Sequence, residues 1–330
     1  MALDTDAVAA SRARTPRAIT VDPSRADRWF NRVTLGAGLL VLVLLTLVGV
    51  FLLLRSRTAL SETGVFTFLT REGWRTDVHP PQIGVLALVT GTVIVAAIAI
   101  VIAVPFGVIA ALCITEYASP KLRRWLTGLV DLLAAIPSLI FGIWGFLFLS
   151  DKIVPLSRWI SDHFGWIPIF HTDPGAKLTG SMFIAGIVVA LMVVPIVTSV
   201  VREVFAQTPP GEKEAALALG STRWGMIRSV VLPYGRGGVI GGAMLGLGRA
   251  LGETIVVLLL LPQVPQVTAK ILQNGGATVA GFIALRAGAD AFTTSGLMAA
   301  GLVLFVMTLA TNMIASVVVS RSRSGAGVEL

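Results

Sequence analysis

The sequence predicts an all-α polytopic membrane protein with six transmembrane helices. Of its 330 residues, 55% are hydrophobic and only 13% are charged, against about 25% charged in typical soluble domains. Several apolar runs exceed about 18 residues, the length that separates a membrane-spanning helix from one buried in a soluble core. The formal charge of +8 would suggest nucleic acid as the partner of a soluble chain. In a membrane protein it fits basic cytoplasmic loops, so we expect no nucleic-acid partner.

Six apolar segments define a membrane domain over residues 33–320, embedded in a lipid bilayer between tails at 1–32 and 321–330. The predicted spans are 33–54, 83–114, 125–149, 180–201, 233–262 and 291–319. The third span contains Asp131 and an interrupted stretch at 136–142. Irregular backbone at membrane depth is tolerated only where it lines a cavity or is buried in protein.

Two predicted loops are amphipathic. Residues 55–82 place Phe66, Phe68, Leu69 and Trp74 among charged residues, which favours either an interfacial amphipathic helix or an ordinary loop with aromatic anchors. Residues 150–179 contain two tryptophans, a residue type enriched at membrane–water interfaces. This second stretch is predicted to be an amphipathic loop.

Charge predicts the orientation of the chain. Residues 1–32 hold six arginines and four aspartates without apolar periodicity, which predicts a mostly disordered tail that becomes helical at Arg25. Six spans put both termini on one side. With the termini inside, the cytoplasmic segments hold sixteen of the 26 Lys and Arg residues and the outer segments nine. Both termini are therefore predicted to lie on the cytoplasmic side of the membrane, although Arg55 and Arg57 argue locally against this.

The fifth span is dense in glycine. Its glycines form small-xxx-small pairs that let a second helix approach closely, and we expect them to be the surface on which a partner subunit packs. These helix-packing residues are Gly237, Gly238, Gly241, Gly242 and Gly246.

Two charges lie in the same span. Arg249 and Glu253 are four residues apart, so on one continuous helix from Pro233 to Pro262 they would share a face and touch. Arg249 would lie about 20 Å along that helix, beyond the middle of a hydrocarbon core of about 30 Å. Such a side chain costs about 3 kcal/mol to insert and must face protein, water or an ion.

The polar segment 202–236 is predicted to form two short helices. Thr208 is placed to cap the first, which begins at the following prolines, and Gly220 is placed to end it in a left-handed conformation. The second helix starts at Ser221 and is expected to stop at Pro233. The result would be a helical knob held between the fourth and fifth spans.

This segment resembles the cytoplasmic coupling motif of ABC-transporter permeases, Glu-Ala-Ala-x3-Gly-x9-Ile-x-Leu-Pro. The matching residues are Glu214, Ala215, Ala216, Gly220, Leu232 and Pro233, with Val230 in the isoleucine position as the one departure. The resemblance implies a type I ABC importer permease fold whose knob docks on a separate ATPase. The alternative is a helical hairpin lying on the membrane surface.

The energy source is expected to lie outside this chain. The sequence contains no Gly-x4-Gly-Lys-Ser/Thr phosphate loop, so we expect no bound cofactor, and we expect ATP and Mg on the partner ATPase. Its three histidines, at positions 79, 163 and 171, are too scattered to predict a metal site. The chain is therefore predicted to be a transporter subunit and not an enzyme.

Three further stretches are similar to the C-type permease of phosphate-specific (Pst-type) importers: 131–138, 142–145 and 246–254. At Asp131 that family more often has glutamate, which leaves the partner of this acid open. The resemblance implies inorganic phosphate as substrate and a bacterial cytoplasmic (inner) membrane as the location. It also implies an A-type permease subunit as heterodimer partner, an ATPase dimer, and an extracytoplasmic phosphate-binding protein.

Several alternatives stay open at this point. Arg249 and Glu253 would form either a transient phosphate relay or a structural ion pair. Asp131 could reach Arg249 across the helices or simply lie at the cytoplasmic interface. The substrate could be another oxyanion such as sulfate or molybdate, and the chain could be the A-type phosphate permease. A secondary transporter or channel would need its own coupling-ion site or inverted repeats.

Overall fold

The computed structural model describes residues 24–78 and 80–323 of the chain. The longer helices are α1 (Arg25–Thr63), α3 (Leu86–Leu112), α4 (Pro120–Ala135), α6 (Ser150–Phe164), α7 (Met182–Ala206), α10 (Leu232–Leu251) and α13 (Ala291–Arg323). The shorter helices are α2 (Val65–Thr70), α5 (Ser138–Trp144), α8 (Pro210–Ala218), α9 (Arg223–Met226), α11 (Ile255–Leu260) and α12 (Val279–Leu285). Three π-helical turns extend or join helices: π1 (Cys113–Tyr117), π2 (Gly145–Leu149) and π3 (Ile227–Val231).

Six helical stretches of the described chain are long and apolar enough to cross a membrane. They are Arg25–Thr63, Leu86–Tyr117, Ser138–Phe164, Met182–Ala206, Arg223–Leu251 and Ala291–Ser320. This confirms the predicted number of spans. Helix α13 runs without interruption through the polar residue Asn312.

The third span differs from its prediction over residues 125–149. The chain leaves the helical conformation at Ile136, where ψ is 128°, and at Pro137, because the residue before a proline is driven away from the α region. A new helix then begins at Ser138 and continues through π2 and α6 to Phe164. The predicted amphipathic loop therefore begins as part of the span, and α4 is a separate helix with no buried residue.

The chain divides into two compact units, Met1–Val50 and Phe51–Leu330. The first is described from Ser24 onward. Helix α1 begins at Arg25, as predicted, because Ser24 and Asp27 form a reciprocal cap: the Ser24 N–H donates to Asp27 Oδ2 at 3.0 Å and the Asp27 N–H to Ser24 Oγ at 3.1 Å. The rest of the predicted tail, residues 1–23, lies outside the described residues, as do 324–330 and His79.

The main core of the second unit lies between α3 and α7. Helix α7 is its centre, with 67% of its most apolar stretch buried against 28% for α3. Small residues let the two helices approach. A Cβ on Gly186 would lie 2.5 Å from Ile98 Cγ2, and one on Gly107 would lie 2.7 Å from Val197 Cγ1.

A second core involves the stretch 55–82, which contains the end of α1, the short helix α2 and two strands. Strands β1 (Trp74–Arg75) and β2 (Gln82–Ile83) pair antiparallel. Phe68 and Trp74 are buried, whereas Phe66 and Leu69 are exposed. The Trp74 ring lies 6.4 Å from that of Phe68 and 5.1 Å from that of Phe282 in α12. The aromatic side chains of the loop therefore join it to the start of α12.

Candidate functional site

Arg249 lies in the last turn of α10 and is exposed in this chain. The ion pairs of the described residues join other side chains. Apolar α11 follows shortly after, so the guanidinium lies between two apolar helical segments. Asn312 of α13 is a polar group in this region, with Oδ1 3.7 Å from the place of a Cβ on Gly248. The guanidinium is free to take an external partner.

No ion pair or hydrogen bond of the described residues joins Glu253 to Arg249, and the prediction of one continuous helix is wrong. Helix α10 ends at Leu251 and α11 begins at Ile255. Glu253 is only 9% exposed, and its Oε1 accepts the N–H groups of Ile255 at 3.1 Å and Val256 at 3.2 Å. The first N–H groups of a helix lack partners within it. The carboxylate therefore caps the start of α11.

A second helix break is brought close to the first. The chain is interrupted at Ile136–Pro137, and α5, which follows that break, packs on α11. The contact is close because Gly142 has no side chain: a Cβ there would lie 2.9 Å from Leu259 Cδ1 and 3.4 Å from Val256 Cα. Two interrupted spans therefore meet through the segments beyond their breaks. Discontinuous helices of this kind are tolerated where they line a pathway or are buried in protein.

The cavity beside the first break is apolar. It measures about 330 Å³ and lies between the end of α4, α5 and the middle of α7. Its lining residues are Leu133, Ile136, Ile140, Phe141, Trp144, Leu191, Val194 and Pro195. It offers no charged group to an anion, so the chemistry expected of an oxyanion site remains with Arg249.

Asp131 lies on α4 and pairs with α7. Its Oδ1 is 3.6 Å from Arg202 Nη2 and accepts a hydrogen bond from Ser199 Oγ at 3.3 Å. In this structure Asp131 therefore pairs with Arg202 and not with Arg249. The sequence gives no signal for Arg202 as the partner, because that arginine begins the polar segment 202–236, beyond the predicted end of the fourth span.

The first coupling helix is α8, which carries the Glu-Ala-Ala residues. Glu214 and Ala215 are exposed, whereas Ala216 packs against the main core. Gly220 has φ +85°, the left-handed conformation expected of a residue that ends a helix. The predicted Thr208 cap is wrong: Thr208 Oγ1 is buried without a hydrogen-bond partner, and Pro209 occupies the capping position.

The second coupling helix does not stop at Pro233. Thr222 caps α9 by accepting the Gly225 N–H at 3.1 Å, and π3 then joins α9 to α10, so that one helical span runs over Arg223–Leu251. Leu232 and Pro233 begin α10 directly after π3. A proline in a helix lacks the N–H of its turn and crowds a preceding carbonyl group. Here a π turn directly precedes Leu232 and Pro233, and the helical span continues through them.

Three of the five predicted helix-packing glycines of α10 pack against α7 of the same chain, so the expectation that they form a surface for a partner subunit is wrong for these three. A Cβ on Gly238 would lie 2.5 Å from Val204 Cγ2, one on Gly242 3.3 Å from Val201 Cγ2, and one on Gly246 2.6 Å from Val193 Cγ1. Gly241 differs, since the nearest atom lies 4.0 Å away on α13. Gly237 is half-buried in the same helix.

Comparison with known proteins is consistent with this architecture. Residues 103–324 match the family described as "Binding-protein-dependent transport system inner membrane component". The chain is 38% identical over 316 residues to "Phosphate transport system permease protein PstC 2" of Mycobacterium tuberculosis, which covers 94% of this chain and 98% of that protein. It is 38% identical over 336 residues to the protein named PstC of Mesorhizobium japonicum, which covers 97% of each.

One solved structure has a similar fold. A bacterial ABC transporter involved in the import of the acidic polysaccharide alginate is similar at 19% identity with a TM-score of 0.50, over 72% of this chain and 79% of that one. The predicted all-α ABC importer permease fold is therefore confirmed. The chain is a multi-pass inner membrane protein that belongs to the family of binding-protein-dependent transport system inner membrane components, among the permeases named PstC.

Proposed function

We propose that this chain is the C-type transmembrane permease subunit of an ATP-driven importer of inorganic phosphate. The observation that carries the proposal is the exposed guanidinium of Arg249, free of a described acid partner, at a break between two apolar helices. The relatives that match nearly the whole chain are named phosphate transport system permease proteins, which supports phosphate as the substrate.

The chemistry of Arg249 suits a passing oxyanion. Guanidinium is permanently charged and offers a planar fork of donors that matches phosphate oxygens. Glu253 caps α11 in this conformation, so it does not neutralise the arginine. In the proposed relay, Glu253 exchanges its backbone hydrogen bonds for the guanidinium once the anion has left. The other interpretation, a permanent structural ion pair, requires a contact that this conformation lacks.

The partners follow from the family and from the coupling helix. The exposed Glu214 and Ala215 of α8 are proposed to dock on a dimer of ATPase subunits, which bind ATP and Mg. An A-type permease subunit completes the pathway, and an extracytoplasmic phosphate-binding protein delivers the anion. Both termini and α8 are proposed to be cytoplasmic, the orientation that the Lys and Arg distribution favours.

Phosphate uptake in a strain that lacks this chain tests the proposal, with sulfate uptake as the control. We expect phosphate uptake to be lost and to return when the chain is supplied on a plasmid, while sulfate uptake stays unchanged. Loss of sulfate uptake with normal phosphate uptake would assign the chain to another oxyanion. Uptake that persists without a partner ATPase would instead indicate a secondary transporter or channel.

A further inference from the structure

The π-helical turn π1 extends the end of α3 and receives basic side chains from three later segments. The turn is closed by a hydrogen bond from the Ala118 N–H to the Cys113 carbonyl group at 2.9 Å. The three basic residues are Arg123 of α4, Lys213 of α8 and Arg223 of α9. Turns of this type are rare and frequently lie at functional sites.

The strongest of these contacts joins α8 to π1. Lys213 Nζ lies 2.7 Å from Glu116 Oε1, and the two side chains are only 20% and 7% exposed. Breaking such a pair leaves a charge largely removed from water, which is strongly unfavourable. The residues are 97 positions apart, so the pair is a tertiary attachment between α8 and the end of a long span.

The other two contacts attach α9 and α4 to the same turn. The Arg223 guanidinium lies 5.5 Å from the centre of the Tyr117 ring, in a cation–π contact. Arg123 donates from Nε to the Ile114 carbonyl group at 3.0 Å and from Nη2 to that of Thr115. These carbonyl groups lie at the negative end of the helix, where cations are favoured.

Helix α4 leads from this turn to the helix break. It begins at Pro120, next to π1, and ends at Ala135, directly before the interruption at Ile136–Pro137. Near its far end, Asp131 is bound to Arg202 of α7. The helix is therefore held at both ends, by π1 and by α7.

We propose that π1 is the joint through which the coupling helices move α3 and α4, with Glu116 and Lys213 as its positioning residues. The inference rests on the proposed function, because it assumes that an ATPase displaces α8. The exposed Glu214 and Ala215 lie on α8 beside Lys213, so one helix carries both the docking residues and the attachment. Without the ion pair, α8 would slide over π1 instead of carrying α3 with it.

The test uses the complete complex with its partner subunits in proteoliposomes. Phosphate uptake and ATP hydrolysis are measured separately for Glu116→Gln, Lys213→Gln, the double variant and the charge-conserving Lys213→Arg. A fluorescent label on Cys113, the single cysteine of the chain and exposed within π1, reports movement of the turn on ATP binding. Glu62→Gln makes the same chemical change at an exposed position outside π1.

Each single variant is expected to lower the phosphate transported per ATP by about fivefold or more, the lower end of usual coupling between sites. The label response to ATP is expected to shrink in parallel. The double variant is expected to be no worse than the worse single variant, because both remove the same interaction. Lys213→Arg and Glu62→Gln are expected to keep the wild-type ratio.

If Glu116→Gln and Lys213→Gln both keep the wild-type amount of phosphate transported per ATP and the wild-type label response, the inference is overturned. If Glu116→Gln, Lys213→Gln and Lys213→Arg all fail to assemble into the complex, the ion pair has a purely structural role. That result would also overturn the inference. A wild-type complex that hydrolyses ATP but moves no phosphate would contradict the proposed function alone. A label response that is present in that complex and absent from the variants would still support the joint.

Discussion

The Glu253 carboxylate binds the backbone N–H groups of Ile255 and Val256 instead of the Arg249 guanidinium four residues before it. The difference arises because α10 ends at Leu251, so the i, i+4 relationship of a continuous helix no longer holds. One consequence is that α11 is anchored by a buried carboxylate. The other is that no described acid pairs with the Arg249 guanidinium, which can therefore bind an external anion.

Two substitutions of Glu253 distinguish its contribution to stability from its contribution to transport. Glu253→Ala removes the acceptor of two N–H groups and is expected to lower the free energy of unfolding by about 1 kcal/mol. Glu253→Gln keeps a side-chain oxygen and is expected to stay near wild type in thermal unfolding. If the relay operates, Glu253→Gln nevertheless loses phosphate uptake, because an amide cannot pair with a guanidinium as an ion. Normal uptake by Glu253→Gln in an assembled complex rejects the relay.

Arg249 is expected to be required for uptake through its charge and its shape. Hydrogen bonds to charged groups contribute about 1.5–3 kcal/mol, so Arg249→Gln is expected to reduce phosphate uptake by at least tenfold. Arg249→Lys keeps the charge but loses the planar fork, and intermediate uptake is expected. The matched control is Arg236→Gln, an exposed arginine on the same helix. If Arg249→Gln takes up phosphate as fast as the control variant does, Arg249 is not part of the phosphate pathway.

The α7–α10 contact predicts opposite results at two neighbouring glycines. Both Gly238→Ala and Gly241→Ala improve helix propensity by about 1 kcal/mol. At Gly238 the new methyl group would overlap Val204, whereas at Gly241 the nearest atom is 4.0 Å away. Overpacking costs about 1–3 kcal/mol, so Gly238→Ala is expected to be less stable than Gly241→Ala by that amount in thermal unfolding. Equal stabilities would show that α10 is not held against α7.

The pair between Asp173 and Lys270 predicts a pH dependence. Lys270 donates from Nζ to Asp173 Oδ1 at 2.6 Å, and this hydrogen bond holds the pKa of Asp173 below its ordinary value of 3.8. A lowered folded-state pKa contributes stability that is fully present above pH 3.8 and is lost as the pH falls through the lowered value. The melting-temperature difference between wild type and Asp173→Asn is therefore expected to be constant above pH 3.8 and to shrink as the pH falls through the lowered pKa of Asp173. A difference that persists at much lower pH would show that it does not arise from the ionised Asp173 carboxylate.

Local signals in the chain were sufficient for the spans and the coupling segment. Apolar run length identified six membrane-crossing helices, and a single glycine at 220 marked the end of the first coupling helix through its left-handed backbone. The prolines predicted the ends of helices less reliably than this glycine did. Pro137 breaks a helix, as the interrupted stretch predicts, but Pro233 lies inside the continuous span Arg223–Leu251, close after π3.

The class of protein, the number of spans and the position of the coupling helices could be predicted from the sequence, because they depend on hydrophobicity and backbone preferences over a few residues. The partners of the charged residues could not be predicted and became known from the packing of the helices. Asp131 pairs with Arg202 and Glu116 with Lys213, and Glu253 caps a helix. The two ion pairs join residues of different helices, and the cap exists only because α10 ends early. The free energy of the whole packing selects such contacts, and no local pattern encodes them.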